Sequence, residues 1–382
     1  MIKLITIVGA RPQFIKASAI SRAIKTNYVG HISETLVHTG QHYDDNMSAV
    51  FFNELQLPQP KYNLNTGSGS HGKQTAEMMS GIESVLQSEM PDAVVIYGDT
   101  NSTLAAAVAA AKVHIPVVHI EAGLRSFNKL MPEEINRICT DHVSTLLFSP
   151  SLKGIENLML EGFATGKQPP YGINKPGVFH CGDIMYDNSL YFSKIAEHKS
   201  HIIEQLNLEP DNYVLVTLHR DTNTDDAQRL NSILSALQRI SLAHNMQMVI
   251  PLHPRTQKKW EELSSDGLKD AMMKNKLIRM IPAASYLDFI RLEKNARLIM
   301  TDSGGVQKEA YFFEKKCVIL RDETEWVELL DLGIAQLCGA DEERIVKGFD
   351  ALLQKQELHY PPIYGDGHAA EFILDRIVET FR

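Results

Sequence analysis

Short apolar runs rich in valine and isoleucine alternate along this chain with longer stretches patterned as helices, and that alternation limits the folds open to it. Residues 3–9 (KLITIVG) carry a buried-strand pattern, and a helical pattern over 13–26 follows. TLVHT (35–39), AVVIYG (93–98) and PVVHIE (116–121) are further strands, with helices over 73–88 and 103–113 between them. Strands joined through helices run parallel, and a parallel sheet is covered on both faces, so its strands read as continuous apolar runs. A second series begins with YVLVTLH (213–219), continues through a helix over 225–243, and adds MQMVIPLH (246–253), LIRMI (277–281), ARLIMTD (296–302) and CVILRD (317–322). With 382 residues the chain exceeds what one core ordinarily serves. The expected fold class is α/β: two doubly wound domains, 1–183 and 184–366, facing each other over a cleft. The hinge is expected near residue 183, at the end of GKQPPYGINKPGVFHCGD (166–183), a loop plus a last strand. An amphipathic helix over 367–382 is expected to pack back on the first domain.

Composition narrows the function classes. The chain is 44% apolar and 22% charged, as a globular protein is. Its 38 basic and 47 acidic side chains give 38 − 47 = −9, which disfavours an extended nucleic-acid surface but leaves room for a local cationic pocket. Cys139, Cys181, Cys317 and Cys338 are scattered with no C-x-x-C pair. That points away from a zinc site or a disulfide framework and fits a reducing cytoplasm. The first residues read as a strand rather than a signal peptide, and no apolar run reaches membrane-spanning length.

Two glycine-rich stretches compete as phosphate sites. GSGSHG (67–72) fits G-x-G-x-x-G, but LPQPKYNLNT before it reads as a loop, and a phosphate loop needs a strand there. It is expected to be a plain connection ahead of the 73–88 helix. TDSGGVQKEA (301–310) has the right context, with a strand ending at Asp302, a turn through Ser303, Gly304 and Gly305, and a helix from about Val306. Helix N–H groups without internal partners and the helix dipole favour an anion such as a pyrophosphate there. Glu309, one turn on, suits ribose hydroxyls better than phosphate. The plain alternative is an ordinary turn capped by Ser303.

Polar residues gather at the carboxyl ends of strands, where open α/β sheets bind ligands. Arg11 and Lys16 follow the first strand, Asp99 follows VVIYG, Glu121 follows VVHI, His219 and Arg220 follow YVLVTL, and His253 follows MVIPL. Asp99 has a plain alternative role as a helix cap. In MPEEINR (131–137), Pro132 suits a first helical position, and Glu133 and Arg137 share a face at i, i+4. Asp99, Glu121 and Glu133 are thus expected to meet Arg11, Lys16 and Arg137 in one pocket, an arrangement that tunes carboxyl groups for proton transfer.

GARPQFIKA, HTGQHYDDNM, YGDTNSTLAAAVAA, HIEAGLRS, MPEEINR, TLHRD, TDSGGVQKEA and YGDGHAAE, in that order across nearly the whole chain, resemble the non-hydrolysing UDP-N-acetylglucosamine 2-epimerases. The resemblance implies a glycosyltransferase-B-like fold of two Rossmann-like domains and a homodimer. It implies a UDP-sugar substrate, with no NAD and no metal. It places Arg11, Lys16, Asp99, Glu121, Glu133 and Arg137 around the sugar, and His219, Ser303, Gly304, Gly305 and Glu309 on UDP, with His219 also acting on the leaving group. Arg321, in LRDETE, is expected to face the nucleotide too. The implied reaction eliminates UDP to a 2-acetamidoglucal and adds it back with carbon 2 inverted, in the making of surface polysaccharide precursors.

Departures from the family pattern bear on the substrate. Ala10 and Gln13 stand where GTRPE is common, TLHRD replaces a histidine followed by two arginines, and Trp326 and Val327 replace an arginine and a proline. These variants look like the branch acting on UDP-2,3-diacetamido-2,3-dideoxy-glucuronate, an O-antigen precursor. Tyr43 stands where enzymes regulated by their substrate carry an arginine. The remaining rivals are a hydrolysing epimerase, a glycosyltransferase of the same fold, and a nucleotide-sugar sensor without catalysis.

Overall fold

The computed structural model describes residues 1–41, 52 and 55–382. Tyr43 lies outside them, as does most of HTGQHYDDNM. Two compact units are present: Met1–Asn188 together with Pro362–Arg382, and Ser189–Pro361.

Among the described residues the first unit is built on seven strands: β1 (Ile2–Val8), β2 (Ile32–His38), β3 (Tyr62–Asn63), β4 (Ala93–Tyr97), β5 (Val117–Ile120), β6 (Leu146–Ser149) and β7 (Gly177–His180). All pair in parallel, in the order β3-β2-β1-β4-β5-β6-β7. The Asn101–Lys112 helix lies close on this sheet because Ala105, Ala106, Ala107, Ala109 and Ala110 present almost no bulk. Its neighbour, His71–Glu89, adds Met78, Ile82, Val85 and Leu86 to the same core. The order reverses between β1 and β4, and the crevice beyond such a switch point is where ligands enter this topology.

GSGSHG is preceded by a strand after all, which corrects the loop expected there. Tyr62 and Asn63 pair with Val37 and His38 of β2. Three residues still separate that strand from Gly67, and a side chain added at Gly67, Gly69 or Gly72 would meet nothing within 4 Å. These glycines are not there to make room for a close neighbour, and the stretch leads into a helix starting at His71.

The first unit ends at Asn188, inside the Ile184–Lys199 helix, rather than at 183. Asn188 is fully buried, and its Oδ1 accepts from Ser18 Oγ and Arg22 Nη2, both at 3.2 Å. Its amide donates to the Ile15 carbonyl, so this side chain ties the helix to Arg11–Asn27. The C-terminal Ala369–Phe381 helix belongs to the same unit. Tyr28 Oη donates to the Glu371 carbonyl at 3.0 Å and to Asp375 at 2.6 Å. Asp187 accepts from the N–H groups of Ala369 (3.2 Å) and Ala370 (2.8 Å).

The second unit has six parallel strands: β8 (Tyr213–Thr217), β9 (Gln247–Leu252), β10 (Ile278–Pro282), β11 (Leu298–Thr301), β12 (Lys316–Ile319) and β13 (Ala335–Leu337). Their order is β10-β9-β8-β11-β12-β13, so the switch point lies between β8 and β11. Val214, Val216 and Met300 of the sheet pack with Ile233, Leu237 and Ile240 of the Ala227–His244 helix and with Phe349. Both units are therefore Rossmann-like. Among the described residues no helix is long and apolar enough to cross a membrane.

Candidate functional site

In the first unit the charged residues collect around the turn after β4. Gly98 has φ +62°, and a Cβ there would stand 3.0 Å from Glu121 Oε2 and 3.3 Å from Lys16 Nζ. The turn thus needs glycine both for its left-handed backbone and for the room its neighbours occupy. Thr100, not Asp99, caps the following helix, accepting from the Thr103 N–H. Asp99 is left to pair with Arg137 Nη2. Burial pushes the Asp99 carboxyl up; Arg137 pulls it back, the Glu121 charge raises it and Lys16 lowers it, and the net shift is upward. Lys16 in turn binds Glu121, and each side chain keeps only about a tenth of its surface exposed (11% and 12%).

Glu121 adopts φ +75°, a backbone state uncommon outside glycine. The β5 end that carries it is fixed from below. His119 Nε2 lies 2.9 Å from the Gly98 carbonyl, and Nδ1 lies 2.7 Å from Asp141. Asp141 Oδ2 accepts from Arg125 Nη1 (2.8 Å) and the Gly123 N–H (3.1 Å). Burial works against the Asp141 carboxylate, but His119 and Arg125 together hold it below its ordinary range. Arg125 completes the chain with a two-pronged pair to Glu161, both contacts at 2.7 Å.

Glu133 does not join this cluster, contrary to the spacing argument. It is exposed in the first turn of Pro132–Val143, while Glu134 is buried and pairs with Arg137 Nη1 at 3.0 Å. The loop after Glu121 decides between them. It brings the Ser126 and Phe127 N–H groups to Glu134, each at 2.9 Å, and such bonds outweigh the burial cost and hold its carboxyl below the usual range. Arg137 therefore bridges Glu134 and Asp99, and Asn136 adds a 2.8 Å bond to the Asp99 carbonyl. Arg11 begins its helix at the end of β1 and is exposed.

Gln13, a departure from the family motif, closes the β1 turn. Its Oε1 accepts from the N–H groups of Gly9 (2.9 Å) and Ala10 (3.1 Å). Its Nε2 donates to the Tyr97 carbonyl (3.0 Å) and Thr103 Oγ1 (2.9 Å). One side chain so fixes the ends of β1 and β4 against each other.

In the second unit the corresponding node is Asp302, fully buried. It accepts from the N–H groups of His219 (3.1 Å) and Arg220 (3.1 Å) and from Asn223 Nδ2 (3.2 Å), and His219 Nδ1 lies 3.5 Å away. The exposed His219 ring is so placed at the end of β8, beside the Ser303 turn. Ser303 precedes the Gly304–Phe312 helix without a capping hydrogen bond from its side chain, which removes the plain cap reading. A side chain at Gly305 would meet only Ser303 Oγ, at 3.9 Å, so the approach to this helix start is open. At Gly304 a Cβ would stand 2.4 Å from Glu325 Oε1. Arg321, two residues beyond β12, is buried and donates to Glu325 at 2.9 Å, so its charge is shared with that carboxylate. Glu309 sits on the same helix, nearly buried. His253 instead caps Pro254–Leu263, its Nδ1 accepting from the Arg255 N–H. Trp326 is buried with Lys308 Nζ 4.1 Å from its ring centre.

Residues 24–378 match the family model described as UDP-N-acetylglucosamine 2-epimerase. The chain is 45% identical over 377 residues to the UDP-2,3-diacetamido-2,3-dideoxy-D-glucuronate 2-epimerase of Pseudomonas aeruginosa, covering 99% of each. It is 44% identical over 375 residues to the UDP-N-acetylglucosamine 2-epimerase of Methanocaldococcus jannaschii, covering 97% of this chain and 98% of the relative. A crystal structure of a UDP-GlcNAc 2-epimerase from M. jannaschii, in complex with UDP-GlcNAc and UDP, superposes with a TM-score of 0.85 at 43% identity over 99% of this chain and 100% of that one. The Neisseria meningitidis UDP-GlcNAc 2-epimerase bound to UDP-GlcNAc gives 0.84 at 28% identity, with 99% and 100% covered.

Proposed function

As this chain belongs to the UDP-N-acetylglucosamine 2-epimerase family of isomerases, we propose that it inverts carbon 2 of a UDP-linked 2-acetamido sugar without net hydrolysis. The observation that carries this reading is the pair of ion pairs flanking Gly98, Lys16–Glu121 and Arg137–Asp99. No carbonyl acidifies the carbon 2 hydrogen, so direct deprotonation is too slow. Elimination solves this. As the carbon 2 hydrogen leaves to a base, its bonding electrons form the C1=C2 double bond and the C1–O bond breaks, releasing UDP and a 2-acetamidoglucal. Re-addition reverses each step, with the proton delivered to the opposite face of carbon 2 and a UDP oxygen re-forming the bond to carbon 1. Asp99 and Glu121 supply the acid and base; a carboxyl raised by burial, as at Asp99, is suited to hold a proton nearer neutral pH. Arg11, His219, Arg321 and the start of the Gly304–Phe312 helix stabilise the leaving diphosphate, and Glu309 holds the ribose.

The substrate is of the UDP-N-acetylglucosamine type. Trp326 packed against Lys308, where the family commonly has arginine, together with the 45% identical Pseudomonas relative, favours a second reading in which UDP-2,3-diacetamido-2,3-dideoxy-glucuronate is turned over. The product would feed surface polysaccharide or O-antigen synthesis in the cytoplasm. The chain acts as a homodimer. Offering both sugars side by side, while counting free UDP against UDP-linked epimer, tests the reading. Epimer in large excess over free UDP is expected. Stoichiometric free UDP and free sugar would mean a hydrolysing enzyme instead.

A further inference from the structure

Glu293, on the Tyr286–Asn295 helix, is a second-unit carboxyl to which the reaction assigns nothing. It is 0% exposed, and no N–H or O–H group among the described residues donates to either of its carboxyl oxygens. An ionised carboxylate so placed would be an uncompensated buried charge. The Gly304–Phe312 helix packs against this one and sets another carboxyl, that of Glu309, beside it; Glu309 keeps 8% of its surface exposed. Two carboxyl groups in contact avoid double ionisation by sharing one proton. Burial decides which carries it: the fully enclosed Glu293 loses more by ionising than Glu309 does. Burial first, and the Glu309 charge second, push Glu293 well above the carboxylate range. Tyr213 and Cys317, the other groups that feel it, are themselves kept neutral by burial.

We propose that Glu293 is a positioning residue, a neutral acid whose O–H donates to Glu309 and holds that carboxylate, charged and oriented, for the ribose hydroxyls of the nucleotide. This rests on the reading of Glu309 as the ribose ligand. The pair then sets the preference for a ribonucleotide over one lacking those hydroxyls.

The test measures the affinities of UDP and 2′,3′-dideoxy-UDP for the full chain and three variants. Wild type prefers UDP, and Glu309→Gln abolishes the preference. Glu293→Leu lowers it about tenfold, the scale of one hydrogen bond to a charged group, and leaves dideoxy-UDP affinity unchanged. Glu293→Gln, whose amide supplies a permanent donor of the same shape, keeps it. If Glu309→Gln retains the preference, the ribose reading of Glu309 is wrong and the proposal goes with it. If Glu309→Gln loses it but Glu293→Leu keeps it, or Glu293→Gln behaves as Glu293→Leu does, the role of Glu293 alone is overturned. Should Glu293→Leu fail to fold, infrared difference spectroscopy decides. A protonated-carboxyl stretch present in wild type and missing from Glu293→Gln supports the proposal, and no such band in wild type overturns it.

Discussion

Glu121 holds a left-handed backbone at the end of β5 while binding Lys16 beside Gly98. Strain of this kind persists only where the surroundings over-determine it. Here the His119–Asp141–Arg125 chain and the Lys16 pair do so. Gly98→Ala should cost about 1–2 kcal/mol from its positive φ alone and displace the Lys16–Glu121 pair, which chemical denaturation and turnover assays would read together. A variant as stable and as active as wild type would contradict the crowding seen at that turn. Asp99→Asn and Glu121→Gln should each lower turnover by orders of magnitude while UDP still binds. The identities of Lys16, Asp99, Glu121 and Arg137 were legible in the sequence because each follows a strand end or opens a helix at a predictable offset. The choice of Glu134 over Glu133 as partner of Arg137 was not, since the two are adjacent and only the path of the 122–130 loop separates them. Gln13 and Asp302 escaped for a related reason: their partners are backbone groups far along the chain, which no spacing records.

Among elements, the long β-branched strands and the alanine-rich helix were legible from pattern alone. The strands β3, β6 and β13 were not, being runs of 2, 4 and 3 residues, too short to show a period. The expected strand over 317–322 ends at Ile319, so Arg321 lies in the turn beyond it, within reach of Glu325. The C-terminal helix depends on a titratable cap. Burial raises the Asp187 carboxyl to about 7, although it accepts two N–H bonds from that helix. With the folded value above the unfolded one, the stabilising proton is fully held below the ordinary carboxylate range and is lost as pH rises through about 7. Hydrogen exchange across Ala369–Phe381 should therefore be faster, relative to the intrinsic rate, at about pH 8 than at about pH 5. In Asp187→Asn that difference should vanish. Equal protection in wild type at both values would refute the assignment.

For the whole molecule, the two sheets share one strand order over six strands, the first adding β7 at its edge, and each brings polar residues to the carboxyl end of its switch point. UDP held by the Ser303 turn should raise the stability of Ser189–Pro361 by about 2.7 kcal/mol at a hundredfold excess over its dissociation constant. Denaturation monitored in that unit checks this, and Asp302→Ala, which frees the His219 turn, should abolish most of the gain. The fold was legible at this scale because parallel sheets leave a strong pattern of apolar runs and crossovers. The chemistry is tested most directly by the hydrogen on carbon 2. When the enzyme turns over UDP-sugar in deuterium oxide, with no acceptor present, deuterium should appear at carbon 2 of the epimerised UDP-linked product. An epimer that forms with its carbon 2 hydrogen unexchanged, or a sugar that gains neither label nor inversion, would contradict elimination and re-addition at this site.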